Sequence, residues 1–498
     1  MGHKQTRDLQ SANSFALLTR RSLLQRAGWA IAAAALPFRE ALAAVPVSSV
    51  MTKLSTYMSE AGNRALPHEV IEKAKHHILD TLAAMISGSQ LPPGRAALKF
   101  ASAYGGERVS TVAGSKILCG PIEAALTNAM LAHSDETDDS HAPSQSHPGC
   151  AVVPAALSVG EKFGVTGNQF LRAVTLGYDI GPRITMTLGA LDLQMKGHKS
   201  THSIAGVFGA SAAAGCVASL NAQQMRWLLD YSAQQCSGIL AWQRDTDHIE
   251  KAFAFAGMPA RSGTTAALLV QSGWTGVDDI LSGPDNFLLA YTPEANPEGL
   301  IEKLGERYEV TRTNIKKWTV GSPIQAPLDA MESLRKRHPF DPEQVRQMIV
   351  RLAVNEAKTV NNREMPDICL QHMMAVMLMD KTASFQAAHD KPRMEDPAIL
   401  RQRAKIQLVP DEELQRRLPR REAIVEITLT DGTRLSEHVE AVRGTAENPM
   451  TRDEVVAKSR QLMEPVLGAQ TCANLVERVL GLESVKDIRE LRPLLQGI

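Results

Sequence analysis

The stretch "PHEVIEKAKHHILDTLAAMISG" (Pro67–Gly88) sets Val70, Ile71, Ala74, Ile78, Leu82 and Ile86 at the three- and four-residue spacing of one helix face. Pro67 stands at its start and Gly88 closes it, which predicts a helix with defined ends. The same pattern recurs down the chain. "GPIEAALTNAMLAH" (120–133), "GNQFLRAVTLGYDIGPRIT" (167–185), "SIAGVFGASAAAGCVASLN" (203–221), "NAQQMRWLLDYSAQQCSG" (221–238) and "GMPARSGTTAALLVQSG" (257–273) all read as helices with short connections. Residues 203–221 are so rich in Gly and Ala that neighbouring helices are expected to approach closely.

The pattern changes after Glu309. Met348–Val354 is a β-like run, and "EAIVEITLTDGTRLSEHVEAV" (422–442) holds two alternating runs around Asp431-Gly432, a hairpin turn signal. The Met-rich stretch between them (366–385) reads as a core helix. Helices return from Thr451 to Leu491. The expected fold is mainly α: a large helical domain (44–308, rejoined by 457–498) with a smaller α+β lid domain inserted (309–456).

Composition excludes several classes. Lys+Arg and Asp+Glu balance at 54 each, so no net charge draws the chain to nucleic acid or an anionic membrane. A chain of 498 residues is long for a single core. The six cysteines show no CxxC spacing, so no iron–sulfur cluster is expected, and for the four in apolar or small-residue surroundings buried free thiols are expected rather than disulfides.

The first 43 residues read separately. Arg20-Arg21, an apolar run from Ala27 to Phe38 and the A-x-A site Ala41-Leu42-Ala43 follow the order of a twin-arginine (Tat) export signal. The run is too short to span a membrane. A periplasmic mature protein beginning near Ala44 is expected, or a cytoplasmic one if the leader does not function.

Two polar stretches interrupt the apolar helices. "HSDETDDSHAPSQSHPG" (133–149) crowds three histidines and four acidic residues in front of an apolar helix. Pro148 and that helix argue that His147 points inward. The donors His133, Asp135, Asp138, Asp139, His141 and His147 could hold a metal, but their spacing matches no zinc or iron motif. Acid–base chemistry beside cations that hold an anionic substrate is the alternative, and a solvated loop is the bland one. In "KGHKSTHSIAG" (196–206), Lys196, His198, Lys199 and His202 stand at a helix entrance, a candidate anion site.

These residues resemble the MmgE/PrpD family, which includes 2-methylcitrate dehydratase, cis-aconitate decarboxylase and iminodisuccinate epimerase. The family's "AHxxDFDDTH…HP" is similar to Ala132–His141 with His147-Pro148. Its "GxHxT…GxFGAAAA" resembles Gly197–Ala214, and its "K…AGxAAxxG" resembles Lys251, Ala256-Gly257, Ala260 and Gly263. Its "IKxYP" resembles Ile315-Lys316-Lys317-Trp318, and "DGxxxxxxV…GxxxNPMTxxEV" resembles Asp431–Val455. The likeness runs in order along the whole mature chain.

The resemblance implies a homodimeric lyase or isomerase with a metal-free, cofactor-free site between domains. It implies a small di- or tricarboxylic acid substrate and proton transfer at the carbon next to a carboxylate. Dehydration, epimerisation and decarboxylation all remain open. By position it implies His147 for proton transfer, with Ser140 and Glu136 orienting, and His198 or His202 in the site. Lys251, Lys316, Lys199 and Asp139 would bind substrate. The chain departs from the family pattern where Glu136 replaces an Asp, where the Ser140–His147 spacing gains a residue, and where "KKWTVGSPIQAP" replaces the aromatic-Pro and a downstream His. Two rival readings are a non-catalytic periplasmic polycarboxylate-binding protein and a metal-dependent hydrolase.

Overall fold

Helices that bury every face need small residues where they cross, and this chain supplies them. The computed structural model describes residues 46–497; the leader with Arg20-Arg21 and Ala41-Leu42-Ala43 lies outside the described residues. The elements that position the site begin with α1 (Ser49–Glu60), α2 (His68–Gly88), α3 (Pro92–Tyr104), α4 (Pro121–Ala132), α5 (Gly149–Phe163) and α6 (Gly167–Thr187). They continue with α7 (Thr201–Val217), α8 (Ala222–Gln234) and α9 (Met258–Gln271).

The Gly/Ala-rich α7 is the central helix, with α5, α6 and α9 packed around it. A Cβ on Gly181 of α6 would come within 2.4 Å of the Ala205 carbonyl oxygen on α7. One on Gly206 would meet the Pro259 ring of α9 at 2.7 Å. The close approach expected of this segment therefore rests on specific glycines.

The apolar side chains fall into two clusters. One takes residues from Val50 to Ile315 and again from Met450 to Leu495; the other runs from Trp318 to Val442. The second cluster is built on α10 (Ser322–Arg337), β1 (Val345–Ala353), α11 (Leu370–Asp380), β2 (Ile406–Asp411), β3 (Ala423–Leu429) and β4 (Arg434–Val439). The sheet order is β2-β1-β3-β4, with β1–β2 parallel and the other pairs antiparallel. Asp431-Gly432 turns the β3–β4 hairpin, with Gly432 at φ +89°. The Met-rich α11 is core, buried from Leu370 to Leu378. β2 was not anticipated. It contains Pro410 and does not alternate, and it is tolerated because it is an edge strand.

The chain end returns as α12 (Arg452–Leu467) and α13 (Ala469–Leu480). Lys458 of α12, itself buried, donates to Asp80 Oδ1 of α2 at 2.6 Å and to the Thr137 carbonyl at 3.0 Å. All six cysteines are buried and free, as expected for four of them. Among the described residues no helix is long and apolar enough to cross a membrane.

A Gly→Ala change inside a helix ordinarily stabilises by about 0.5–1 kcal/mol. At Gly181 the sign is expected to reverse. Gly181→Ala should cost roughly 1–3 kcal/mol through forced separation of α6 and α7. Denaturant unfolding checks this, and an unchanged or raised midpoint would contradict the packing.

Candidate active site

The loop between α4 and α5 is not solvated. His133, Asp135, Glu136, Thr137, Asp138, Asp139, Ser140, His141 and His147 are all buried. A buried carboxylate needs a partner, because an isolated one loses its hydration with nothing in return. Each of the four acids here has at least one, and most of these partners come from distant parts of the chain.

Asp139 accepts from His77 Nδ1 at 2.9 Å, from the Tyr178 hydroxyl at 2.5 Å and from the Gly149 amide at 3.0 Å. These bonds pin the loop to α2, to α6 and to the first turn of α5. A Cβ on Gly149 would strike both Thr81 Oγ1 and the Tyr178 hydroxyl at 2.5 Å, so only glycine lets the three meet. Asp139, expected to bind substrate, is thus fully engaged as a structural tie. Ser140 pairs through its backbone with Asn314 (3.0 and 2.8 Å), which sets the register of Lys316 two residues on.

Glu136 is the centre of charge. Its carboxylate meets Lys251 Nζ, His248 Nε2 at 3.3 Å and Lys316 Nζ at 3.4 Å, and Lys316 also donates to its carbonyl at 3.0 Å. Burial alone would raise its pKa; Lys251, then Lys316 and His248, reverse this and hold it well below the usual carboxylate range. Asp138 likewise stays ionised against burial through His133, His147 and Lys316. His133 Nδ1 donates to Asp138 Oδ2 at 3.0 Å, and burial pushes its imidazole down to about 4. His147 Nδ1 lies 3.4 Å from Asp138 Oδ1 without the alignment of a hydrogen bond. His248 holds its position at φ +66°, a strained backbone for a side-chain-bearing residue.

A π-helical turn at Phe253–Gly257 delivers Phe255 into this group. The ring stacks on His202 at 3.8 Å and on His133 at 4.8 Å. His202 lies 5.0 Å from His147, ring centre to ring centre. Burial, then His147 and Lys251, hold its imidazole well below the ordinary value. Several buried polar atoms in this one region have no hydrogen-bond partner among the described residues: His133 Nε2, His147 Nδ1, His202 Nδ1, His248 Nδ1, Trp242 Nε1 and Asp138 Oδ1. Buried polar groups are normally satisfied, so such a concentration marks a ligand site.

The helix-entrance anion site expected from Lys196, His198, Lys199 and His202 is not assembled. Lys196 is exposed and pairs with Asp192 at 3.0 Å. His198 is exposed at φ +53°, and Lys199 lies over the Tyr291 ring at 4.1 Å. Ser200 caps α7, and the turn that follows carries only His202 inward. His147, Glu136, His202, Lys251 and Lys316 come together; Asp139, Ser140, His198 and Lys199 serve other contacts.

Residues unnoticed in the sequence complete the site. His77, His248, Asp367 and His389 sit singly in four separate stretches. The one available signal was the polar face of residues 67–88, which is buried and carries His77 and Asp80. Asp367 is buried, and burial, reinforced by Glu136 and Asp135, raises its carboxyl. Two trios, His133/Asp138/His147 and His133/Glu136/His248, have donors close enough to share a cation. Lys251 on Glu136 and Lys316, 3.6 Å from Asp138, put two ammonium groups among the same atoms and oppose one.

Comparison with known proteins shows the family. The model of the MmgE/PrpD N-terminal domain matches residues 52–300, and that of the MmgE/PrpD C-terminal domain matches residues 318–482. The cis-aconitate decarboxylase-like protein oryM of Aspergillus oryzae is 25% identical over 483 residues, 91% of this chain and 98% of its own. A cis-aconitate decarboxylase of Aspergillus terreus is 24% identical (90% and 96% covered), and that of Homo sapiens 25% (87% and 91%).

One contact ties the loop to the α+β elements: His389 Nε2 stands 3.0 Å from Asp135 Oδ2. Burial would lower His389, but Asp135 more than reverses it, so its pKa is raised from 6.5. Asp135 is lowered from 3.8 against its burial, His389 being the leading cause. The histidine's contribution is therefore complete below pH 6.5 and is lost as pH rises through its raised value. The destabilisation caused by His389→Gln should be larger at pH 6 than at pH 9, read from denaturant midpoints. An equal effect at both would contradict a charged pair.

Proposed function

The chain belongs to the MmgE/PrpD family, and on that premise we propose that it is a cofactor-free lyase acting on a small tricarboxylic or dicarboxylic acid. The observation that carries this reading is the buried cluster in which unpartnered imidazole nitrogens face two lysines. It is suited to hold carboxylates and to move a proton beside them. The names of the relatives favour loss of CO2 from a cis-aconitate-like acid. Dehydration of a 2-methylcitrate-like acid and epimerisation use the same first or last step.

In this reading Lys251 and Lys316 stay paired with their acids and donate hydrogen bonds to the substrate's carboxylates. In the decarboxylation direction the C–C bond to the departing carboxylate breaks, and its electron pair shifts through the neighbouring C=C to the carbon beside a remaining carboxylate. The His147 imidazolium then delivers a proton there and is re-protonated from solvent. In the dehydration direction His147 removes the proton next to a carboxylate and hydroxide leaves from the neighbouring carbon. Asp138 Oδ1 lies 3.4 Å from His147 Nδ1 and holds the ring in place. His202 contacts a second carboxylate.

The proposal extends to the protein's setting. Arg20-Arg21, the apolar run and Ala41-Leu42-Ala43 support export in folded form to the periplasm. A homodimer is part of the same reading, and analytical ultracentrifugation tests it.

Incubation with cis-aconitate and with 2-methylcitrate in deuterated water, followed by proton NMR, tests the chemistry. Deuterium should enter next to a carboxylate, and His147→Gln should slow turnover by about 10²–10⁴-fold with the fold intact. Full turnover in that variant would remove His147 from the role. Replacing Arg20 and Arg21 by Lys should retain the protein in the cytoplasm; unchanged periplasmic levels would refute the export signal.

A further inference from the structure

The two lysines assigned to substrate are already neutralised. Lys251 rests on Glu136, and Lys316 lies 3.4 Å from Glu136 and 3.6 Å from Asp138. All four groups are buried, and their formal charges cancel. Asp135 and His389 form a second balanced pair. The region thus has no surplus positive charge, and every carboxylate brought into it arrives uncompensated. Such a charge is disfavoured unless a counter-charge comes with it.

The structure supplies a source of that charge. Four imidazoles here have a buried ring nitrogen with no hydrogen-bond partner among the described residues. His133 and His147 already face Asp138, and His248 faces Glu136. Among the described residues no carboxylate is hydrogen-bonded to His202 Nδ1. Its neighbours are the Phe255 ring on one face, Trp242 edge-on at 5.7 Å, and His147. The charged and titratable groups facing it are His133, Glu136 and His147 from the loop and Lys251 from the short helix Ile249–Ala252. Lys316 lies 3.4 Å from Glu136, and Asp138 lies 3.4 Å from His147. In the free protein burial and the adjacent Lys251 keep His202 neutral. A carboxylate beside its free nitrogen inverts that balance in favour of imidazolium.

We infer that a polycarboxylate binds together with a proton, which His202 takes up to provide the counter-charge that the committed lysines cannot. This rests on the reading of the ligand as a polycarboxylate. It also gives His202 a role distinct from that of the lysines: it is neutral before the anion arrives and cationic only with it. Affinity should then fall as pH rises, by up to roughly tenfold per unit while one whole proton is taken up.

The test is calorimetric titration of the full chain with propane-1,2,3-tricarboxylate at pH 7 in HEPES and in Tris, whose ionisation heats differ. The difference in apparent binding enthalpy, corrected for the ligand's own titration, gives the number of protons exchanged. Uptake approaching roughly one proton per site is expected in the wild type, and none in His202→Asn, with weaker binding. Binding without proton uptake overturns the inference and indicates that Glu136 swings away to free its lysines. Uptake that persists in His202→Asn overturns it too, in favour of another acceptor. If that variant binds too weakly to titrate, the wild-type values in the two buffers decide. No binding of this ligand or of any polycarboxylate would instead refute the proposed function, and this inference with it.

Discussion

Four carboxylates within five residues, Asp135, Glu136, Asp138 and Asp139, are buried together. That constraint organises the molecule. The desolvation of each acid has to be met by a donor, and no short segment carries enough of them. Lys251 is 115 residues from Glu136, Lys316 is 180, and Lys458 reaches Thr137 from 321 residues away. His77 and Tyr178 come from two further helices, and His389 comes from the α+β elements. The loop is thus the meeting point of both ends of the chain and of the inserted segment. Its burial makes sense only when all of them have arrived. The apolar cluster that joins Val50–Ile315 to Met450–Leu495 reflects the same closure.

The helices were legible because apolar periodicity survives even when all faces are buried. The Gly/Ala content of α7 announced close crossings, and the hairpin at Asp431-Gly432 was announced by its turn. β2 was not legible: an edge strand with Pro410 needs neither alternation nor strong β propensity. In the site, the crowding of His and Asp at 133–149 was visible, and the apolar helix after Pro148 pointed to burial. The choice between His198 and His202 could not be read, since a single left-handed residue at His198 decides which histidine turns inward. Asp139 was indistinguishable in sequence from its acidic neighbours. Its engagement with Tyr178 depends on Gly149 lying close by, a property of the fold alone. His248, Asp367 and His389 each stand alone in the sequence, and only tertiary contacts bring them together.

The same burial explains the chemistry available. A site of paired charges and neutral imidazoles, walled by Phe255 and Trp242, offers proton donors and acceptors of unequal strength a few ångströms apart. Glu136 and Asp138 remain ionised, while His133 and His202 are held neutral by burial. Acid–base work on a carboxylate substrate needs such unlike neighbours.

The central claim is that this cluster receives a polycarboxylate. A crystal structure of the complex with propane-1,2,3-tricarboxylate tests it most directly. One carboxylate is expected within hydrogen-bonding distance of His202 and another near Lys251 or Lys316, with the carbon chain facing His147. A ligand bound elsewhere on the protein, or anomalous scattering from a metal ion held by His133, Asp138 and His147, would contradict it.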